Sequence, residues 1–196
     1  MINAITISEP TSTENKVFEN QQIIPETNIT EGGLTFRNCT ISNVNATINN
    51  CRFENCKIDC AGLTNCTLVN CEIAAYDIGI TNCSIENPKL VNATRCAVTT
   101  CSFSNIVCDN EGVIFIEDSK VLSCSFANVE LCNGAYLISG IGDCCVSNCK
   151  FENCATDRGD LQIIYCEDTT GKFIKKTKEY DIVESDCEGL DTVKLL

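Results

Sequence analysis

The chain has 196 residues, including 18 Cys, one Met, no His and no Trp, and a net charge of −13. The acidic balance argues against nucleic acid and anionic membrane as direct partners and favours a basic partner or none. Without His there is no Ser-His or Cys-His pair, which removes the commonest nucleophilic hydrolase arrangements.

Residues 1–8, MINAITIS, show neither a basic n-region nor a long apolar h-region, so no signal peptide is expected. No run approaches the ~18 apolar residues of a membrane span. The expectation is an intracellular protein in a reducing compartment with most thiols free. Asn-x-Ser/Thr triplets start at Asn28, Asn38, Asn45, Asn65, Asn82 and Asn92. Asn, Ser and Thr are common throughout the chain, and a glycan on every triplet would crowd a compact fold. Residues 1–33 precede any regular pattern and are expected to form an N-terminal cap.

From Leu34 the chain falls into fives: LTFRN, CTISN, VNATI, then Asn49 and Asn50 as extra residues. From Cys51 run CRFEN, CKIDC, AGLTN, CTLVN, CEIAA and YDIGI, with Thr81 and Asn82 extra. CSIEN and PKLVN follow, then a break at 93–95, then CAVTT, CSFSN and IVCDN. The pattern lapses over 111–123 and returns from Cys124 to Ile163, giving 22 units in all. The third position usually holds a large apolar residue such as Phe36, Ile41, Phe53 or Ile58. The first holds 12 of the 18 Cys, and the fifth is most often Asn. Period five matches neither a helix at 3.6 nor a strand at 2. It fits a short extended stretch that points two side chains inward and then turns a tight corner. Asn suits that corner because it tolerates left-handed backbone and bonds its neighbours.

This pattern resembles the pentapeptide-repeat family. The resemblance implies an all-β fold, a right-handed parallel β-helix (solenoid) with four sides, four units per coil and terminal caps. The second position varies here and the fifth is mostly Asn, which departs from the family's preferences. With four units per coil, stacked residues lie about 20 apart, or about 22 across a two-residue insertion. Cys51 then sits beneath Cys71, Cys124 beneath Cys144 and Phe126 beneath Val146. Asn65 meets Asn87, Asn70 meets Asn92, Asn128 meets Asn148, and Asn133 meets Asn153. The solenoid spans 34–163, interrupted at 111–123, and its open end needs covering. Residues 164–196 are expected as a C-terminal cap or docking tail, with 172–183 a short amphipathic helix or a strand.

Candidate chemistry is sparse. The Cys-x4-Cys spacing of Cys51/Cys56, Cys66/Cys71 and Cys149/Cys154 is just the repeat length, whereas structural zinc uses closer pairs. No metal or other cofactor is expected, and the thiols read as small core filler. Cys132 and Cys145 are the better candidates for exposed thiols. Glu117 and Asp118, with Glu111, are the nearest approach to a catalytic carboxylate pair. A filled solenoid offers no groove to go with them, so no catalytic residue is assigned and no enzyme is expected.

Two functional readings remain. The first is a non-enzymatic structural or protein-binding solenoid, including a component of a larger assembly. The alternative, implied by the resemblance, is an acidic DNA mimic that binds a type II topoisomerase (gyrase). Between Leu34 and Ile163 there are 14 acids and 8 bases. A rod of about 26 Å would mimic DNA carrying about 15 charges, so the alternative needs its acids gathered on one face. Specificity is expected where the repeat breaks. The candidate partner contacts are Glu111, Glu117, Asp118 and Lys120, with Lys172, Lys175, Lys176 and Lys178 of the tail. Homo-oligomerisation through the tail is the association this arrangement suggests.

Overall fold

The computed structural model describes residues 4–7, 16–30, 32–109, 112–133, 135–156, 164–167, 173–174 and 194–195. Its regular elements are strands, all paired in parallel except Phe173–Ile174. They wind into a solenoid of short repeated units, and parallel connections of this kind turn right-handed.

The first side is a stack of short stretches: Val17–Glu19, Thr35–Arg37, Arg52–Glu54, Thr67–Val69, Ser84–Glu86, then 102–104, 125–127 and 150–152. In each, the central residue points inward and its neighbours outward, the alternation a strand imposes. The central column is aromatic at both ends. Phe18, Phe36 and Phe53 stack with ring centroids 5.1 Å apart, and Phe103, Phe126 and Phe151 with centroids 5.0 Å apart. Such offset stacks add about 0.5–1.5 kcal/mol per pair beyond burial. The second side carries Ile23, Ile41, Ile58, Ile73, Val91, Ile114 and Ile138 inward, and the third carries Ile48, Leu63, Ile80, Val98, Val121 and Val146.

The number of sides changes along the rod. The early coils have three, so the chain passes from Phe53 through Ile58 and Leu63 and returns to the first side at Leu68. From Ser102 a fourth side opens. Asn105 turns the chain, and 106–108 pairs with 129–131, which pairs with 154–156. The coils that join Phe103 to Phe126 and Phe126 to Phe151 are longer by this added side. The expected uniform four-sided coil is therefore corrected, and with it the stacking. Phe126 lies between Phe103 and Phe151, while Val146 lies on Val121. Cys51 is level with Cys66, and Cys124 with Cys101 and Cys149, since each precedes a paired first-side strand.

The extra residues also fall elsewhere. Asn50 and Asn82 are ordinary corner residues, and the insertions sit at the second corner, around Val44 and Ile78. Both bulge outward, which is why these large apolar side chains are 51% and 61% exposed. Residues 112–123 are not an excursion. Ile114–Glu117 continues the second side and Lys120–Leu122 the third. The N-terminal residues are likewise more than a cover, because Val17–Glu19 and Gln22–Pro25 already form a coil and Ala4–Ile7 pairs with the latter. Lys16 closes the aromatic stack with its ammonium 5.0 Å from the Phe18 ring centre. At the other end Ile164–Glu167 pairs with Ile138–Ile141, and Lys194–Leu195 with 155–156. Most of the helix expected over 172–183 lies outside the described residues. Its two described members, Phe173 and Ile174, form a strand antiparallel to Ile164–Glu167.

Corners are held by left-handed residues. Asn20, Asn38, Asn55, Asn70 and Asn87 close the first side with φ between 47° and 55°. Asn105, Asn128 and Asn153 do the same in the wider coils. The expected Asn ladders exist with different partners: Asn87 donates to Asn70 at 2.7 Å, Asn70 to Asn55 at 3.1 Å, and Asn82 to Asn65 at 2.6 Å. In the wide coils Asn128 donates to Asn105, and Asn153 to Asn128. Glycan acceptor triplets at Asn38, Asn65 and Asn82 thus begin at corner residues. Asn70→Ala should lower stability by about 2 kcal/mol, from the left-handed backbone and two lost ladder bonds. That corresponds to a fall of about 4–8 °C in the thermal midpoint of a chain this size. Val69→Ala, one position away, should move it far less.

Candidate functional site

The exterior carries several ion pairs between and within coils. Arg37 bonds Glu19 in the coil below and Glu54 in the coil above, at 3.2 and 2.8 Å, and Arg52 also reaches Glu54. Lys57–Glu72, Arg95–Asp77 and Lys150–Glu152 add pairs at 2.6–3.0 Å. These pairs are solvent-exposed and individually worth little, but they spread opposite charges over the same faces.

Of the expected partner contacts, Glu117, Asp118 and Lys120 come together at the corner between the second and third sides. Glu117 ends the second-side strand and accepts from the Thr94 hydroxyl at 3.4 Å. Asp118 takes the left-handed corner with φ 46°, and its carboxylate accepts the Asp143 backbone N–H at 3.0 Å. Ser119 points inward, taking the column position that Cys96 and Cys144 hold in adjacent coils. It accepts the Cys96 N–H and donates to the carbonyl of Ala93 or Glu117. Lys120 then points outward beside Ala97 and Cys145. Glu111, Lys172, Lys175, Lys176 and Lys178 lie outside the described residues.

Beside this corner the second side forms a shallow depression of about 240 Å³. Tyr76, Thr94, Glu117 and Ile141 follow one another up the stack, with Asn92 and Phe115 in the next column. Sequence reasoning found Glu117 but missed the other five. They are spread along the chain from Tyr76 to Ile141 and meet only in the true coil register. An aromatic face, an apolar rim and one carboxylate suit a contact with another surface.

None of the 16 cysteines from Cys39 to Cys154 is in a disulfide, and 13 of them are buried. Burial pushes the Cys51 and Cys60 thiols up to about 12 and the Cys154 thiol up to about 11. These groups stay protonated at neutral pH. The fold retains protons that the unfolded chain releases above about pH 8.5, so stability should fall as pH rises from there towards 12. At pH 8 a thiol probe should label Cys96, Cys132 and Cys145 on the native protein within minutes and the buried thiols only after denaturation. Rapid labelling of Cys83 or Cys101 without denaturant would contradict this burial.

No family model and no curated protein matches the chain. The strand pairing and the five-residue repeat define a parallel β-solenoid. Among solved structures, two trypsin-treated variants of QnrB1, a plasmid-mediated fluoroquinolone resistance protein, are similar. They are 12% and 15% identical, covering 85% and 83% of this chain and 92% and 86% of theirs, with TM-scores of 0.32 and 0.29. The likeness is distant, and the functional reading rests on this chain's own geometry.

Proposed function

We propose that this chain is a non-enzymatic scaffold that binds protein through its exterior, at the corner formed by Glu117, Asp118 and Lys120 and the adjoining face. The observation that carries the reading is the contrast between a filled interior and a regular, mostly polar outer surface. On that surface Tyr76, Phe115, Ile141 and Glu117 come together around a shallow depression of mixed chemistry. The tail lysines and Glu111 are further candidate contacts. A reducing compartment suits the thiol-filled core, and no helix among the described residues is long and apolar enough to cross a membrane.

Charge magnitudes weigh against the DNA-mimic alternative. Eight first-side strands make a rod of about 34 Å, and duplex DNA of that length carries about 20 charges. Described residues 16–156 hold 13 carboxylates and 8 cations, and five of those cations are paired to acids on the same faces. The charge available to the rod is well below that of the DNA it would imitate.

The test is co-purification of the full chain from its source in a stoichiometric complex, measured by native mass. Loss of the partner on Phe115→Ala with Glu117→Lys, with the thermal midpoint unchanged, supports the reading. A complex that survives this change, or inhibition of gyrase supercoiling at micromolar concentration, overturns it.

A further inference from the structure

We propose that the main thiol column is a binding site for a soft divalent cation that takes two thiolates in line. The column consists of Cys51, Cys66, Cys83, Cys101, Cys124 and Cys149, one from each successive coil, none more than 4% exposed. All six side chains share one orientation. Each Sγ donates to the carbonyl two positions earlier, at 3.2–3.4 Å. The backbone N–H of Cys66 and of Cys83 also donates to the sulfur one coil on, at 3.4 and 3.5 Å. Identical rotamers on parallel strands repeat at the strand spacing, so adjacent sulfurs are about 4.8 Å apart. A metal–thiolate bond is about 2.3 Å, so a cation midway between two thiolates needs them about 4.6 Å apart.

The surroundings select the class of cation. Among the described residues no group of three or more His, Cys, Asp or Glu is arranged for a metal ion, and the buried polar side chains are only Ser119 and Ser139. Zinc finds no tetrahedron there, and calcium and magnesium find no oxygen ligands. Two thiolates in line suit a soft, closed-shell cation. Bonds at sulfur are bent, so one sulfur cannot reach along the column in both directions. The six therefore form at most three pairs, Cys51–Cys66, Cys83–Cys101 and Cys124–Cys149. At each pair two S–H bonds break, two metal–sulfur bonds form and two protons leave to solvent. A divalent cation gives a neutral product, and a monovalent one leaves a buried negative charge. Burying that charge is costly in an apolar interior, so the divalent cation is preferred.

The probes are Hg(II) and, in parallel, Ag(I), added to the full-length Cys96→Ser/Cys132→Ser/Cys145→Ser protein, whose column is intact. Native mass should show Hg(II) uptake with about two protons released per ion, and X-ray absorption should show two sulfurs at about 2.3 Å. The thermal midpoint should rise, because the folded chain presents the paired sulfurs and the unfolded chain does not. Ag(I) should give the smaller rise. Cys83→Ala/Cys101→Ala should lower the stoichiometry by one. Cys124→Ala/Cys149→Ala should do the same and carries the comparison if the first variant fails to fold. A midpoint lowered by Hg(II), or a stoichiometry unchanged in the folded variants, would overturn the proposal.

Discussion

Phe126→Ala should destabilise the protein by about 3–5 kcal/mol, the usual loss for a fully buried aromatic, and lower the thermal midpoint by roughly 6–20 °C. Phe126 has no exposed surface, and its ring is stacked on Phe103 below and Phe151 above, each at 5.0 Å. Truncation removes both stacks at once. The hole cannot collapse along the rod, because hydrogen-bonded strands on every side hold the coils at their fixed spacing. Phe18 supplies the internal comparison. It stacks on Phe36 alone and is 7% exposed, so Phe18→Ala should cost about half as much. Denaturant melts of both variants measure the difference. A loss below about 1 kcal/mol at Phe126 is outside the range for a packed aromatic and would remove it from the column.

Gly79→Ala should be as damaging by a different route. Gly79 sits at the bulged second corner with φ 108°, a backbone conformation L side chains rarely adopt. An added methyl would lie 2.2 Å from the Ala97 carbonyl oxygen and 2.9 Å from its nitrogen in the next coil. Backbone cannot step aside as a flexible side chain can, so the coils must separate and the 79–81 strand must give up pairing with Ala97–Thr99. Left-handed strain of about 1–2 kcal/mol and overpacking of about 1–3 kcal/mol add to a loss of about 2–5 kcal/mol. Equilibrium unfolding of the variant checks this, with Ala97→Gly in the same background as a control that should rescue little. The obstacle is the Ala97 backbone rather than its methyl. Wild-type stability in Gly79→Ala would mean the two successive coils do not stack there as described.

Much of the fold was legible in the chain. The inward third position, the thiol-bearing first position and the corner Asn each follow from the local chemistry of one unit, and each unit repeats that chemistry. The coil length was not, because a unit makes the same side and corner whether three or four close the turn. The spacing of the largest core residue was the usable signal. Phe18, Phe36 and Phe53 recur at a short interval, and Phe103, Phe126 and Phe151 at a distinctly longer one. An aromatic ring stacks best on another of its kind, so those intervals report the coil directly. The lapse over 111–123 was also chemical disguise. Ser119-Lys-Val-Leu-Ser123 is a complete unit in which Ser replaces both the inward Cys and the corner Asn, and Asp118 replaces Asn at the preceding corner.

The candidate site divides the same way. Glu117, Asp118 and Lys120 stood out because they lie where the five-residue pattern lapses. Tyr76, Asn92, Phe115 and Ile141 each look like an ordinary outward residue of its own unit. They become a depression only when successive coils of unequal length set them side by side. No local pattern carries that information, since the step depends on how many corners the coil makes.

The change from three-sided to four-sided coils is the central claim, and a cross-coil disulfide tests it most directly. Ser102 and Ser125 are exposed partners in adjacent first-side strands, separated in sequence by one full four-sided coil. Parallel strands put their Cα atoms about 4.8 Å apart, inside the range a disulfide requires. In a protein carrying Ser102→Cys and Ser125→Cys, mild oxidation followed by peptide mass mapping should find a bond between these two positions. The companion pair Ser102→Cys and Leu122→Cys represents the shorter, uniform coil and should stay unlinked, because Leu122 lies on the third side. A bond in the companion pair and none in the first would contradict the coil described here.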